Sequence, residues 1–341
     1  MESSALAPDS GAAEGVMKAA GYGLPVRLVL ADRSGKRREL VWHTASANEH
    51  GHDRRADRAA GMLQAFDDFA AMERHVRALD VGFATREGSL ISVKEGDEAY
   101  LISEFARGSI YADDLRRIAE HRTAGELDLA RLDALAGYLA ALHTPVAGGA
   151  VAYRRAIRDL VGHGEGVFGV IDAYPDDTPA APRTRLAAIE TRIVAWRHRL
   201  RDRHARLART HGDFHPFNIV FGDGVELALL DASRGACGDP ADDLTALAVN
   251  FLLFALDRDG AWQGALGPLW HRWWRAYLAL RPDPELLAVA PPFFAWRVLV
   301  VCSPRFYPDL AAGARDRLLS FAESVLDAGT LDPAAAEELF R

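Results

Sequence analysis

The stretch HGDFHPFN, residues 211 to 218, gathers two histidines, a carboxylate and a carboxamide in a chain otherwise rich in Leu and Ala. These groups admit a transition-metal site, a general acid/base site, or a loop that handles phosphate and a hard cation. The alternation of His211, Asp213 and His215 suits a metallohydrolase, but such sites draw on further ligand clusters, and no Asn-His or His-x-His group follows downstream. In NEHGHD, His50, His52 and Asp53 stand close together without a Cys or His partner at a zinc spacing, so loop histidines and a helix cap are the better reading. H-E-x-x-H, G-x-S-x-G and a Walker A sequence are absent. GEGVFG (164 to 169) matches the dinucleotide fingerprint in spacing, yet a helical run precedes it where a strand is required. It reads as a glycine-rich rim whose His163 and Glu165 could reach a substrate, in competition with a solvated turn.

The residues downstream of this stretch decide among these chemistries. Asn218 opens the apolar run NIVF, GDG turns the chain at 222 to 224, and VELALLD returns to Asp231. Asn218 and Asp231 are expected at one open end of a hairpin, with Asp231 overshooting by about three residues, or ~10 Å of strand. An amide oxygen and a carboxylate so placed suit Mg2+, which prefers oxygen ligands and leaves room for phosphate oxygens. Asp213 precedes Asn218 by the spacing that separates the hydroxyl-orienting Asp from the metal-binding Asn in the kinase loop H-R-D-x-x-x-x-N. The stretch therefore reads as a phosphoryl-transfer loop.

The elements that must position it divide the chain in two. VRLVLADRSGKRRELVWHTAS predicts a hairpin of Val26–Ala31 and Glu39–Thr44 turning at Ser34-Gly35, and a helix capped by Asp53 comes after it. HVRALDVGFA and EAYLISEFA return to β-rich runs. Beyond residue 109 the pattern is helical: Leu132, Leu135, Leu139 and Leu142 share one face, as do Leu186, Ile189, Ile193, Trp196 and Leu200. The expected organisation is a mobile tail at 1–15, a β-rich N-terminal lobe at 16–106 and a larger α-rich lobe at 107–341. Gly108 is the expected flexible joint, and a cleft between the lobes the expected ligand site.

Composition narrows the partners. A net charge of -8 argues against a nucleic-acid backbone, because phosphate binding needs a basic face, and favours a cationic small molecule. The apolar run LTALAVNFLLFAL is too short for a bilayer and reads as a buried helix. Two cysteines, Cys237 and Cys302, form no close-spaced pair, and the N-terminus lacks a signal-peptide pattern, so a reduced, cytoplasmic protein with no membrane partner is expected.

HGDFHPFN, LLD (229 to 231) and GDPADDL (238 to 244) occur in the order and separations that resemble the aminoglycoside phosphotransferase family, the small-molecule kinases that include choline and homoserine kinases. LAALH before the loop and ISEFARG at the joint are similar to that family's layout. The resemblance implies an α+β, two-lobed protein-kinase-like fold with a small β-rich N-terminal lobe and a larger, mostly helical C-terminal lobe. It implies transfer of the γ-phosphoryl group of ATP or another nucleoside triphosphate, held with Mg2+, to a hydroxyl of a small molecule, with aminoglycoside-like antibiotics or other amine-bearing metabolites as candidate acceptors. Asp213 becomes the catalytic aspartate, and Asn218 and Asp231 the metal ligands. His211, Asp239 and Asp243 become supports of the loop, and Glu104, Phe105 and Ala106 the hinge contacts to the nucleotide.

Against the family pattern, the strand that usually carries a phosphate-clamping Lys or Arg offers His43 at the expected place, with Arg37 or Arg38 as the alternative clamp, and lysines occur only at positions 18, 36 and 94. The glycine loop is reduced to Gly21 and Gly23, and Asp231 is followed by ASRGA where an aromatic residue is more usual. A pseudokinase and a metal-dependent hydrolase are the alternative readings. Glu165, with Asp257 and Asp259 after the apolar helix, supplies the carboxylates expected to line an acceptor site for a cation.

Overall fold

The computed structural model describes residues 2–5, 25–31, 34–232 and 234–341. Gly21 and Gly23 lie outside the described residues. Contacts divide the chain into Met1–Ser103 and Glu104–Arg341, a boundary three residues ahead of the expected one.

In the N-terminal unit, β2 (Val26–Ala31) and β3 (Arg37–Trp42) form the expected antiparallel hairpin, in register from Val26 opposite Trp42 to Ala31 opposite Arg37. β3 begins and ends two residues earlier than the sequence suggests. Gly35, at φ +82°, takes the left-handed conformation that the turn requires. β1 (Glu2–Ala5) adds an edge strand, pairing Glu2 with Val29 and Ala5 with Val26. These residues fall in the segment expected to be a mobile tail; the unpaired backbone groups along the outer edge of β2 give them a pairing partner instead.

α1 (Arg55–Ala71) comes next, with Arg54 at its N-cap, and the Asp57 carboxylate accepts from the Arg54 backbone N–H at 3.1 Å. The expected cap, Asp53, lies one residue further out. β4 (Gly82–Ala84) and β5 (Leu90–Ser92) pair as a second small hairpin. EAYLISEFA forms no strand: no described backbone pairs with it, and Leu101, Ile102 and Phe105 are exposed.

The C-terminal unit opens with β6 (Ser109–Ile110) and continues through α2 (Tyr111–His121), α3 (Glu126–Leu142), α4 (Gly149–Gly162), α5 (Val167–Asp172) and α6 (Arg183–Leu200). After the loop of interest come β7 (Ile219–Phe221) and β8 (Leu227–Leu229), then α7 (Pro240–Leu256), α8 (Gly267–Leu280), α9 (Leu286–Val289), α10 (Pro291–Cys302) and α11 (Ala312–Ala328). β6, β7 and β8 form one antiparallel sheet. The expected faces are buried: Leu132, Leu135 and Leu139 on α3, and all five named positions of α6. α7 is apolar all round and correspondingly enclosed, with α10 packed beside it. None of the described helices is long and apolar enough to cross a membrane.

Gly108, expected as a flexible joint, does different work. At φ +139° it lies so close to the sheet that a Cβ there would stand 2.0 Å from the carbonyl oxygen of Phe221. Glycine is required for that close approach, which seats β6 on β7.

The fold is thus α+β, with small antiparallel sheets first and a mostly helical remainder.

Candidate active site

The loop from His211 to Asn218 is held from below by the start of α7. Asp239 caps that helix, accepting from the backbone N–H of Ala241 at 3.0 Å, and Pro240 occupies the first helical position, where no N–H is needed. The Asp239 carboxylate also accepts from the Tyr153 hydroxyl at 2.8 Å and forms a two-point pair with Arg206. One turn later, fully buried Asp243 accepts from the backbone N–H groups of His211 and Gly212, both at 2.8 Å, and lies 3.1 Å from His143 Nε2. The other ring nitrogen of His143 meets the Tyr277 hydroxyl at 2.7 Å. A carboxylate with three donors fixes the backbone on which Asp213 stands.

Phe214 explains the apolar residue within a polar motif. Its buried ring lies parallel to Tyr138 and to Trp273, with centroids 6.2 and 6.5 Å away, so burial ties the loop to α3 and α8. His211 Nδ1 accepts from the Asp213 backbone N–H at 3.2 Å, and the His215 ring likewise accepts from that of Phe217.

Asp213 is 8% exposed. Arg297, buried on α10, donates from Nη1 to its Oδ1 at 2.6 Å, and from Nη2 to the Gly212 carbonyl at 2.9 Å and to Asp242 at 2.7 Å. His215 Nε2 lies 3.5 Å and Arg234 Nε 3.7 Å from the other carboxylate oxygen. Burial alone would raise the Asp213 pKa; the His215 contact and the charges of Arg297 and Arg234 outweigh it and hold the carboxyl well below the usual range. Asp242 goes the other way: burial and the neighbouring Asp243 push it up to about 6, against the pull of Arg297. The guanidinium carbons of Arg297 and Arg234 lie 4.0 and 4.8 Å from the Trp296 ring centroid, a cation–π contact for each.

The hairpin register shortens the expected overshoot. Ile219 pairs with Leu229, and the Leu230 N–H donates to the Asn218 carbonyl at 2.9 Å, so Asp231 lies one residue beyond Asn218 rather than three. The five residues between Phe221 and Leu227 form a longer turn than GDG alone implies. Asn218 Nδ2 donates to the Asp213 carbonyl at 3.1 Å, which commits the amide nitrogen inward and leaves the amide oxygen as the donor atom for a cation. Asp231 is exposed and left-handed at φ +49°, a conformation Asp tolerates better than most residues. An oxygen-only pair at one end of a hairpin fits a hard cation such as Mg2+. Among the described residues, no group of three or more His, Cys, Asp or Glu is arranged to hold a metal ion.

Glu165 is brought to this site through Arg234, whose Nε lies 3.6 Å from the Glu165 carboxylate. The GEGVFG glycines are explained by a tight turn between α4 and α5: a Cβ on Gly169 would fall 1.9 Å from the Gly164 carbonyl oxygen. Asp257 and Asp259 do not join them. Asp257 ends α7, fourteen positions after Asp243, and a helix rising 1.5 Å per residue carries it roughly 20 Å from the end that holds the loop. Asp257 instead sits 3.8 Å from Arg258 in an exposed pair. Glu104, Phe105 and Ala106 form no regular element, with Phe105 exposed. His43 lines a cavity within the N-terminal unit.

Sequence reasoning missed Arg297 and Arg234. Arg297 stands 84 positions from its partner and carries no local signature; Arg234 was visible in ASRGA, three residues after Asp231, as a departure from pattern.

The model of the phosphotransferase enzyme family (APH) matches residues 52–282. No curated protein matches the chain. Among solved structures, it is similar to a glucosamine kinase in complex with glucosamine, ADP and inorganic phosphate, at 19% identity over 64% of this chain and 61% of that one, with a TM-score of 0.43. The chain therefore spans less than two thirds of that kinase. It is also similar to an amicoumacin kinase bound to AMP-PNP and Ca2+, at 14% identity over 94% and 90% of the two chains and a TM-score of 0.44. A Plasmodium vivax ethanolamine kinase shares 12% identity over 91% and 80%, with a TM-score of 0.36. With the family model covering more than half of its length, the chain belongs to the phosphotransferase enzyme family.

Proposed function

We propose that the protein transfers the γ-phosphoryl group of ATP to a hydroxyl of a small molecule, with Asp213 as the catalytic aspartate. The observation that carries this reading is the Asp213 carboxylate itself, buried and kept ionised by Arg297, on a loop whose Asn218 and Asp231 present oxygen donors at the adjoining hairpin end.

The acceptor O–H donates a hydrogen bond to Asp213. The acceptor oxygen forms its bond to the γ-phosphorus as the bond from that phosphorus to the ADP oxygen breaks, and the hydroxyl proton passes to Asp213. A carboxylate held below the usual range is a weak base, so it acts chiefly by orienting the hydroxyl and takes the proton late, as suits a loose phosphoryl-transfer transition state. Asn218 and Asp231 would hold Mg2+, which neutralises charge on the phosphate oxygens. Arg234, 3.7 Å from Asp213, adds a positive group beside the reacting centre.

The nucleotide would be held by the N-terminal unit through His43 and by Glu104, Phe105 and Ala106. For the acceptor, an amine near the hydroxyl would find a counter-charge at Glu165, where Arg234 now sits. With Asp257 and Asp259 remote, the cationic-acceptor reading rests on Glu165 and the net charge of -8. A cytoplasmic enzyme of antibiotic resistance or small-molecule metabolism fits this activity.

The test is a screen of hydroxylated compounds, with and without amines, for Mg2+-dependent ADP release from ATP. At least one compound is expected to accelerate release in the native protein and none in Asp231→Ala, which removes the formal charge on the cation site. Equal release by the two proteins would contradict the proposal. Nucleotide binding without release for any acceptor would favour the pseudokinase reading, and bound zinc with ATP-independent hydrolysis the metallohydrolase.

A further inference from the structure

β3 carries no lysine, and His43 stands just beyond its last residue, Trp42. An imidazole is not a permanent cation. Arg37 and Arg38 open β3, roughly 15 to 20 Å of strand from its exit at His43, so a phosphate bound at that exit needs a fixed positive charge from another element.

A cavity of about 320 Å³ lies where β3 runs out into the loop before α1. His43 and Thr44 line it from the strand exit, His52 from the loop, and Arg58 and Gly61 from the first turns of α1. Among the described residues that line it, none is a carboxylate. Ala45 and Met62 complete the lining, and its polar part, two imidazoles, Thr44 and a guanidinium, is complementary to an anion.

The cavity wall is also preformed. Asn48 Oδ1 accepts from the His50 N–H at 2.9 Å and contacts His52 Nδ1 at 3.1 Å, fixing the loop and orienting the imidazole. Arg58 Nη1 donates to the carbonyls of His52 at 2.7 Å and Asp53 at 3.0 Å. These bonds anchor the guanidinium against the loop, and because carbonyls are neutral they leave its charge intact. Gly61 keeps that side of the cavity clear, and a Cβ built there meets nothing within 4 Å.

We infer that Arg58 and His43 form the site for the phosphate groups of the nucleotide, with Arg58 supplying the fixed positive charge. In protein kinases the cation stands on the strand and a carboxylate on the helix. In this chain the helix carries the cation, which accounts for the missing lysine without loss of the clamp. The assignment of the anion to a nucleotide rests on the function proposed above; the anion site itself rests on the cavity.

Calorimetry of the full-length protein with MgADP, with inorganic tripolyphosphate and with adenosine tests the inference in Arg58→Met, Arg58→Lys and the native chain. Charged hydrogen bonds of this kind are expected to make Arg58→Met bind ADP and tripolyphosphate roughly 10- to 100-fold more weakly, with adenosine unchanged and Arg58→Lys intermediate. Unchanged affinities in Arg58→Met would overturn it. Equal loss of ADP and adenosine together with a lowered Tm would also overturn it, since Arg58 would then only brace the loop. Arg58→Lys keeps the charge, and Gly61→Leu, which projects into the cavity from a position with open space, provides a second block if Arg58→Met does not fold. Gly61→Leu that binds tripolyphosphate as the native chain does counts against the site. A native protein that binds tripolyphosphate through Arg58 but not ADP would leave the anion site standing and remove the nucleotide reading. Binding of neither would remove both.

Discussion

The two carboxylates that share Arg297 respond to their surroundings in opposite senses. Asp213 is pulled below its ordinary value of 3.8, so its pairing contributes stability that is complete above that pH and is lost as pH falls through the lower, folded-state value. Asp242 is raised from 3.8 to about 6, so between these values it binds a proton in the folded chain and not in the unfolded one. Its contribution is present at low pH and declines as pH rises through that window. Asp242→Asn should remove this decline, so that variant minus native stability rises from pH 4 to pH 6 by about 2 kcal/mol, allowing for partial solvent access to the side chain. Urea midpoints across that range measure it, and parallel pH profiles would show that Asp242 ionises normally. None of this coupling was legible in the motif. HGDFHPFN displays Asp213, but its main partner enters from α10, where PPFFAWRVLVVC reads as an ordinary buried helix.

At the scale of elements, the start of α7 is the part that makes the loop rigid. Asp243 joins three donors from two other segments, and Asp243→Ala would strand the His211 and Gly212 amides and His143 in a dry environment. A loss of about 3 kcal/mol or more in unfolding free energy is expected, together with lowered turnover; a change under ~1 kcal/mol would show that water replaces the carboxylate. The sequence announced this helix through its apolar run, as it announced the buried face of α6, because apolar patterning is a local signal; the Asp239-Pro240 cap was read only in the structure. The hairpin carrying Asn218 and Asp231 was legible as a pair of strands but not in register, since register depends on turn length and GDG does not reveal that the turn extends to Glu226. EAYLISEFA had strand composition and formed none, because composition does not supply a partner strand. Gly108 shows the same limit: its presence was plain, but its reason, the Phe221 carbonyl, lies in a distant segment.

At the scale of the whole molecule, the buried apolar cluster lies between Tyr111 and Leu339, within the C-terminal unit that also holds the loop of Asp213. The described N-terminal unit exposes much of its apolar surface, including Leu90 and Tyr100. The loop of Asp213 is thus built on the densely packed unit, where the carboxylate is fixed by a group 84 residues away, whereas the proposed phosphate site lies on a unit of short strands and one helix. The division in two was readable from the change of pattern near residue 109, and the boundary fell at Ser103. The expectation that Asp257 and Asp259 join Glu165 was not met, because net charge carries no positional information and both residues follow the far end of α7. The central claim, that Asp213 orients and deprotonates an acceptor hydroxyl, is tested most directly by steady-state kinetics of Asp213→Asn with the best acceptor, alongside its affinity for MgADP. The variant should retain MgADP affinity within about twofold while kcat falls at least ~100-fold, because the lost interaction is made in the transition state. Turnover within a few-fold of the native protein would contradict the account.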